Sequence, residues 1–89
     1  MTVRYDPEFL KKLKKLNVRI RKSFKERIIL FAHDPQNSQL NNHSLTREHA
    51  NFRSIDITND YRALYTEKGE GDEIVAYFEE IGTHKELYG

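Results

Sequence analysis

The chain has no cysteine and no tryptophan, and only two prolines and four glycines among 89 residues. Without cysteine there is no disulfide framework, no thiolate zinc site and no nucleophilic thiol, a composition that fits the cytoplasm. No apolar run approaches the roughly 20 residues that span a bilayer. The opening Met1-Thr2-Val3-Arg4-Tyr5-Asp6 also lacks the apolar stretch of a signal peptide. A soluble, cytoplasmic protein with no membrane partner is expected. A chain of 89 residues builds one modest core, so a single domain over 1–89 is expected too.

What is present is unevenly spread. The net charge of +1 conceals a basic half, residues 1–33, with ten Lys/Arg against three Asp/Glu, and an acidic remainder with five against eleven. The basic stretch holds Lys11, Lys12, Lys14, Lys15, Arg19, Arg21, Lys22, Lys25 and Arg27. Such a concentration is the electrostatic footprint expected for phosphate backbones, and it equally suits a solvated helix face.

Val3 and Tyr5 suggest a short first strand. Asp6-Pro7-Glu8 then supplies an N-cap, a proline at the first helical position and an early acid. Phe9, Leu10, Leu13 and Leu16 recur at helical spacing; Asn17 interrupts the pattern; Ile20, Phe24, Ile28 and Phe31 form a second stripe that stops at His33-Asp34-Pro35. Two antiparallel helices follow. Residues 34–51 are polar, with Leu40 and Leu45 as anchors, and read as a long ordered loop of the kind that often carries function. Beyond it the period becomes two. Residues 52–57, 61–66 and 73–81 read as three strands of an antiparallel meander, with turns at 58–60 and 68–72. The fold expected is α+β: a short N-terminal strand and two antiparallel helices packed on one face of a small antiparallel sheet, the other face left as a concave surface. Alternation puts Ser54 and Asp56 on one face of the first meander strand and Ile55 and Ile57 on the other.

The chemistry-bearing residues cluster near the expected strand ends. They are His43 in the loop, Arg53 and Asp56 on the first meander strand, Asp60-Tyr61-Arg62 at the start of the next, and Gly82-Thr83-His84-Lys85-Glu86-Leu87-Tyr88 at the end of the chain. Each has an ordinary reading as well: a solvated loop histidine, a turn aspartate, a strand tyrosine, an arginine paired to a carboxylate. A metal site built from His43, Asp56, Asp60 and His84 lacks any specific ligand spacing, so neither metal nor cofactor is expected. His33 and His49 read as surface residues.

Three blocks taken together carry a resemblance: Leu40-x-x-His43-x-Leu45; Phe52-Arg53-x-x-Asp56-x-x-x-Asp60-Tyr61-Arg62-x-x-Tyr65; and Gly82-Thr83-His84-x-x-Leu87-Tyr88. They resemble the RelE/ParE superfamily of toxins and, within it, the YafQ-like ribosome-dependent mRNA endonucleases. The detailed likeness covers about the last half of the chain, and the helical half matches in layout. The resemblance implies the toxin of a type II toxin–antitoxin system. Its reaction would be cleavage of mRNA in the ribosomal A site by metal-independent attack of the ribose 2'-hydroxyl on the adjacent phosphate. It implies catalytic roles for His84 as general acid, His43 or Asp60 as base, and Arg62 as phosphate-stabilising cation. Arg53, Asp56, Tyr61 and Tyr88 fall at substrate-binding positions, the two tyrosines suited to stacking on bases. Lys11, Lys12, Lys14, Lys15 and Lys22 fall where the family docks on ribosomal RNA. Ribosome, mRNA and a cognate antitoxin are the partners implied.

The chain departs from the YafQ pattern at Asp56 (a histidine there), Tyr61 (a tryptophan) and Glu80 (an arginine). A carboxylate beside a reacting phosphate is unfavourable unless it is protonated, paired or turned away. Two other functions therefore stay open: a ParE-like, non-enzymatic gyrase-binding toxin, which has no need of His43 and His84, and a degenerate toxin that retains antitoxin binding alone.

Overall fold

The computed structural model describes all 89 residues. Its elements are β1 (Thr2–Tyr5), α1 (Pro7–Lys15), α2 (Val18–His33), β2 (His43–Ser44), β3 (Arg53–Asp56), β4 (Tyr61–Glu70), β5 (Glu73–Thr83) and α3 (His84–Tyr88), with 3-10 turns at Ser38–Leu40 and Arg47–His49. Both long helices begin on side-chain caps. The Asp6 carboxylate accepts from the Glu8 amide at 2.8 Å, and the Asn17 side chain accepts from the Ile20 amide at 3.1 Å. Asn17, which breaks the apolar pattern, is thus what starts α2.

The five strands form one sheet in the order β1-β5-β4-β3-β2. The meander β3-β4-β5 is antiparallel as expected, whereas β1 runs parallel to β5, with Thr2 opposite Val75 and Tyr5 opposite Phe78. The sheet is therefore mixed. The 34–51 segment, expected as loop, contributes the fifth strand, β2, pairing His43 with Ser54 and Ser44 with Arg53. The 68–72 turn is tighter than expected: β4 and β5 continue to Glu70 and Glu73, with Gly71 at φ 62° in the left-handed region that glycine adopts without a steric cost.

The apolar stripes of α1 and α2 meet the sheet in an aromatic core. Phe78 lies between 5.1 and 6.3 Å, centroid to centroid, from Tyr5, Phe9, Phe24, Phe31 and Tyr65. Ile55 and Ile57 join this core, while register places Ser54 and Asp56 on the opposite face with Leu64 and Arg62. That second face departs from the expected open polar surface. Ser54 is flanked by its register partners His43 and Leu64, and both it and Leu64 are fully buried. No helix is long and apolar enough to cross a membrane.

A candidate active-site cleft

The Gly82–Tyr88 segment has a local physical explanation. Thr83 ends β5 and caps α3 through a reciprocal box: the Glu86 amide donates to Thr83 Oγ1 at 3.1 Å, and the Thr83 amide donates to Glu86 Oε1 at 2.8 Å. The hydrogen bond from the Thr83 backbone, helped by the Thr83 hydroxyl and the charge of Lys12, holds the Glu86 carboxyl below its ordinary range. A Cβ at Gly82 would stand 3.2 Å from Lys12 Nζ and 3.3 Å from Glu86 Oε1, a tight fit that a larger residue would relieve only by shifting these side-chain ends. His84 is the first residue of α3, and its backbone amide donates to the Asp60 carbonyl at 3.1 Å, tying the helix to the β3–β4 turn. The Tyr88 ring lies one turn on, 4.6 Å from the imidazole.

His43 is aimed by the turn before it. Leu40 is fully buried and anchors the 3-10 turn. Asn41 adopts a left-handed conformation at φ 48°, and its carbonyl oxygen lies 2.8 Å from His43 Nδ1. A carbonyl only accepts, so the neutral imidazole carries its proton on Nδ1 and leaves Nε2 bare. His43 and His84 line one cleft of about 400 Å³, together with Asn41, Leu45, Ser54, Arg62 and Tyr88. Residues 41 positions apart in the chain thus share a site.

Arg62 is heavily engaged. Its Nε lies 2.9 Å from Asp56 Oδ1, and its Nη1 donates to the carbonyls of Thr58, Asn59 and Tyr61 at 2.9, 3.0 and 3.1 Å. Nη2 alone has neither a hydrogen bond nor an ion-pair contact within the protein. Asp56 is therefore a paired charge behind Arg62 and does not itself line the cleft. Arg53 acts one layer behind: its Nε donates to Asn42 Oδ1 at 3.0 Å, and Asn42 Nδ2 donates to the Tyr65 hydroxyl and the Pro35 carbonyl, both at 2.8 Å. This network braces the loop that carries His43. Burial raises the Tyr65 hydroxyl above its ordinary pKa, against a smaller downward pull from Asn42 and Arg53.

Asp60 and Tyr61 fall outside the cleft, in an adjoining depression with Lys85 that shares His84 as a wall. Tyr61 packs partly against the core. The five lysines Lys11, Lys12, Lys14, Lys15 and Lys22 are all exposed on α1 and α2. Glu80 lies with Lys11, Lys12 and Lys15 in a groove beside α1. No three His, Asp or Glu side chains gather closely enough to hold a metal ion. Three participants escape sequence reasoning. Asn41 and Ser54 line the cleft, and His49, read as a surface residue, sets its ring 5.5 Å from Tyr88 and 6.4 Å from Phe52. The advance signal for His49 was that it stands where the YafQ pattern has an aromatic.

Solved structures share this architecture. YafQ from E. coli strain BL21(DE3) superposes with a TM-score of 0.76 at 22% identity, covering 98% of this chain and 97% of that one. A YoeB/ParE toxin from Agrobacterium tumefaciens gives 0.74 at 17% identity over 94% and 99%. The RelB–RelE antitoxin–toxin complex from Methanococcus jannaschii gives 0.68 at 23% over 96% and 94%. At such identities these likenesses establish the fold. No curated protein matches the sequence. The family model for the ParE toxin of the type II toxin–antitoxin system parDE matches residues 3–88, nearly the whole chain. The chain accordingly belongs to the ParE toxin family, within the RelE/ParE superfamily, and is a toxin of a type II toxin–antitoxin system.

Proposed function

We propose that this toxin is a ribosome-dependent mRNA endonuclease, cutting in the A site by attack of a ribose 2'-hydroxyl on the adjacent phosphate, with no metal in the step. The observation that carries the reading is the pairing of His43 and His84 in one cleft. With Nδ1 committed to the Asn41 carbonyl, His43 presents a bare Nε2 suited to removing the 2' proton. His84, exposed at the start of α3, is the general acid for the departing 5' oxygen. An imidazole suits either role because its pKa lies near working pH. Asp60 is the weaker candidate for base, since it occupies the neighbouring depression. Arg62 Nη2 is the one free corner of a guanidinium whose other nitrogens are held, so it can meet a phosphate oxygen without reorganising. Tyr88 offers a ring for stacking on a base.

The two acidic departures from the YafQ pattern have separate consequences. Asp56 is neutralised by Arg62, and Glu80 sits among lysines of α1 rather than in the cleft. Neither places an unpaired negative charge against the reacting phosphate. The exposed lysines supply sequence-independent affinity for ribosomal RNA. An open, shallow site gains much from a ribosome that holds the mRNA in an attack geometry. A cognate antitoxin is the other partner, as in the DinJ–YafQ and RelB–RelE complexes among the similar structures, and its acidic segments would complement the basic helices.

A second reading has one observation in its favour: the family model that matches is that of ParE. A ParE-like toxin acting on gyrase without catalysis would use neither histidine. Primer extension on mRNA in a purified translation reaction separates the two. The endonuclease reading requires cuts within codons that depend on ribosomes, persist with chelator and vanish in His84→Ala. A folded wild type that leaves mRNA intact and inhibits gyrase supercoiling would replace it.

A further inference from the structure

Two depressions adjoin the cleft, and each shares a wall with it. His84 separates the cleft from the depression of Asp60, Tyr61 and Lys85; Tyr88 separates it from one formed by Thr46, Arg47, Glu48 and His49. Each of the three is lined by at least one cation and one ring: Lys85 and Tyr61, Arg62 with His84 and Tyr88, Arg47 and His49. A single strand of nucleic acid presents one phosphate and one base per unit, and a groove that alternates cations with rings is how proteins hold it.

The Arg47–His49 depression has the features of a subsite in its own right. Its volume is about 260 Å³, a space for one base rather than a larger ligand. The His49 and Tyr88 rings stand 80° apart with centroids at 5.5 Å, making a corner against which a base can lie flat on one ring and edge-on to the other. Arg47 is exposed, and its guanidinium makes no ion pair or hydrogen bond within the protein. Its backbone is held at φ 58°, a conformation unusual for a side chain of this size and of a kind that clusters at functional sites. Glu48, also unpaired, supplies an acceptor beside this cation.

We propose that the turn Thr46–His49 and Tyr88 form a subsite for the nucleotide flanking the one held in the His43–His84 cleft. The base packs in the His49–Tyr88 corner, Arg47 takes its phosphate, and Glu48 accepts from an exocyclic amine, so adenine, cytosine and guanine are favoured over uracil. The inference rests on the endonuclease reading for the identity of the polymer and deepens it by assigning the register of the strand.

The test is a titration of the full ¹⁵N-labelled chain with an uncleavable 2'-O-methyl single-stranded hexanucleotide, followed by amide NMR. Amides of 46–49 and Tyr88 are expected to shift together with those of His43 and Ser54. His49→Ala and Arg47→Gly should each weaken binding about tenfold, while His49→Phe, which keeps a ring, should bind as the wild type does. Arg47→Gly suits the backbone at φ 58°, so a loss there is not a folding defect. Shifts confined to the His43–His84 cleft, no shifts at all, or full affinity in both disruptive variants would overturn the subsite. The cleavage assay in translation reports separately on the endonuclease. RNA held at 46–49 by a protein that does not cut keeps the subsite and removes the enzyme. Cutting without shifts at 46–49 keeps the enzyme and removes the subsite.

Discussion

The two faces of β3 obey different rules. Ile55 and Ile57 are fully buried in the aromatic core, whereas Ser54 Oγ and Asp56 Oδ1, on the other face of the same strand, are buried oxygens without a hydrogen-bond partner. Arg62 Nε approaches that Asp56 oxygen to 2.9 Å, yet off the N–H axis, so the charges pair without a well-aligned bond. Buried polar atoms are normally satisfied, and an orphan costs about 1–3 kcal/mol. One face is optimised for holding the fold together; the other keeps unmet polar capacity beside two histidines. Stability and chemistry are thus separated by a single step of strand alternation.

Substitutions on the two sides should differ in kind. The largest effect belongs to the cleft: His84→Ala is expected to lower cleavage by about 10²–10⁴-fold while leaving the urea midpoint unchanged, which parallel primer extension and denaturation would check. On the core face, Ile55→Ala should cost about 2–5 kcal/mol of stability by opening a cavity among rings that cannot collapse to fill it; equilibrium denaturation reads this directly. Ser54→Ala should act with the opposite sign, raising stability by about 1 kcal/mol because it deletes a hydroxyl whose burial is uncompensated. A loss of stability there would mean that the hydroxyl is satisfied and that the contrast between the faces fails.

The smallest effect concerns the cap that positions His84. The Glu86 carboxyl is held below its ordinary pKa in the folded chain. Its contribution is therefore present above the ordinary glutamate value and is lost as pH falls through the folded pKa. The Thr83 amide resonance should titrate in that acidic window, α3 should fray below it, and Glu86→Ala should abolish the titration.

Much of the architecture was legible because its causes are local. The cap at Asp6-Pro7, the stripes through Phe9 and Phe24, and the stop before Pro35 depend on neighbours a few residues away. β2 was not legible, since a strand of two residues such as His43–Ser44 carries no period to detect. Neither was the parallel pairing of β1 with β5, which is decided by a partner more than 70 residues distant. The same divide runs through the site. Thr83 and Glu86 show their roles in sequence once the box is recognised, whereas the close approach of Lys12 to Gly82 is tertiary. Arg62, by contrast, stands at a position suited to a free phosphate-binding cation, and its three bonds to turn carbonyls follow from the path of residues 58–61 alone. His49 reaches Tyr88 through tertiary folding, so no spacing rule announces it.

The central claim, that the His43–His84 cleft drives attack by a 2'-hydroxyl, is tested most directly by the chemical ends of mRNA cut in the translation reaction. The account predicts a 2',3'-cyclic phosphate, or the 3'-phosphate it opens to, on one fragment and a free 5'-hydroxyl on the other. Fragments ending in 3'-hydroxyl and 5'-phosphate would contradict it, because water rather than the ribose would then have been the nucleophile.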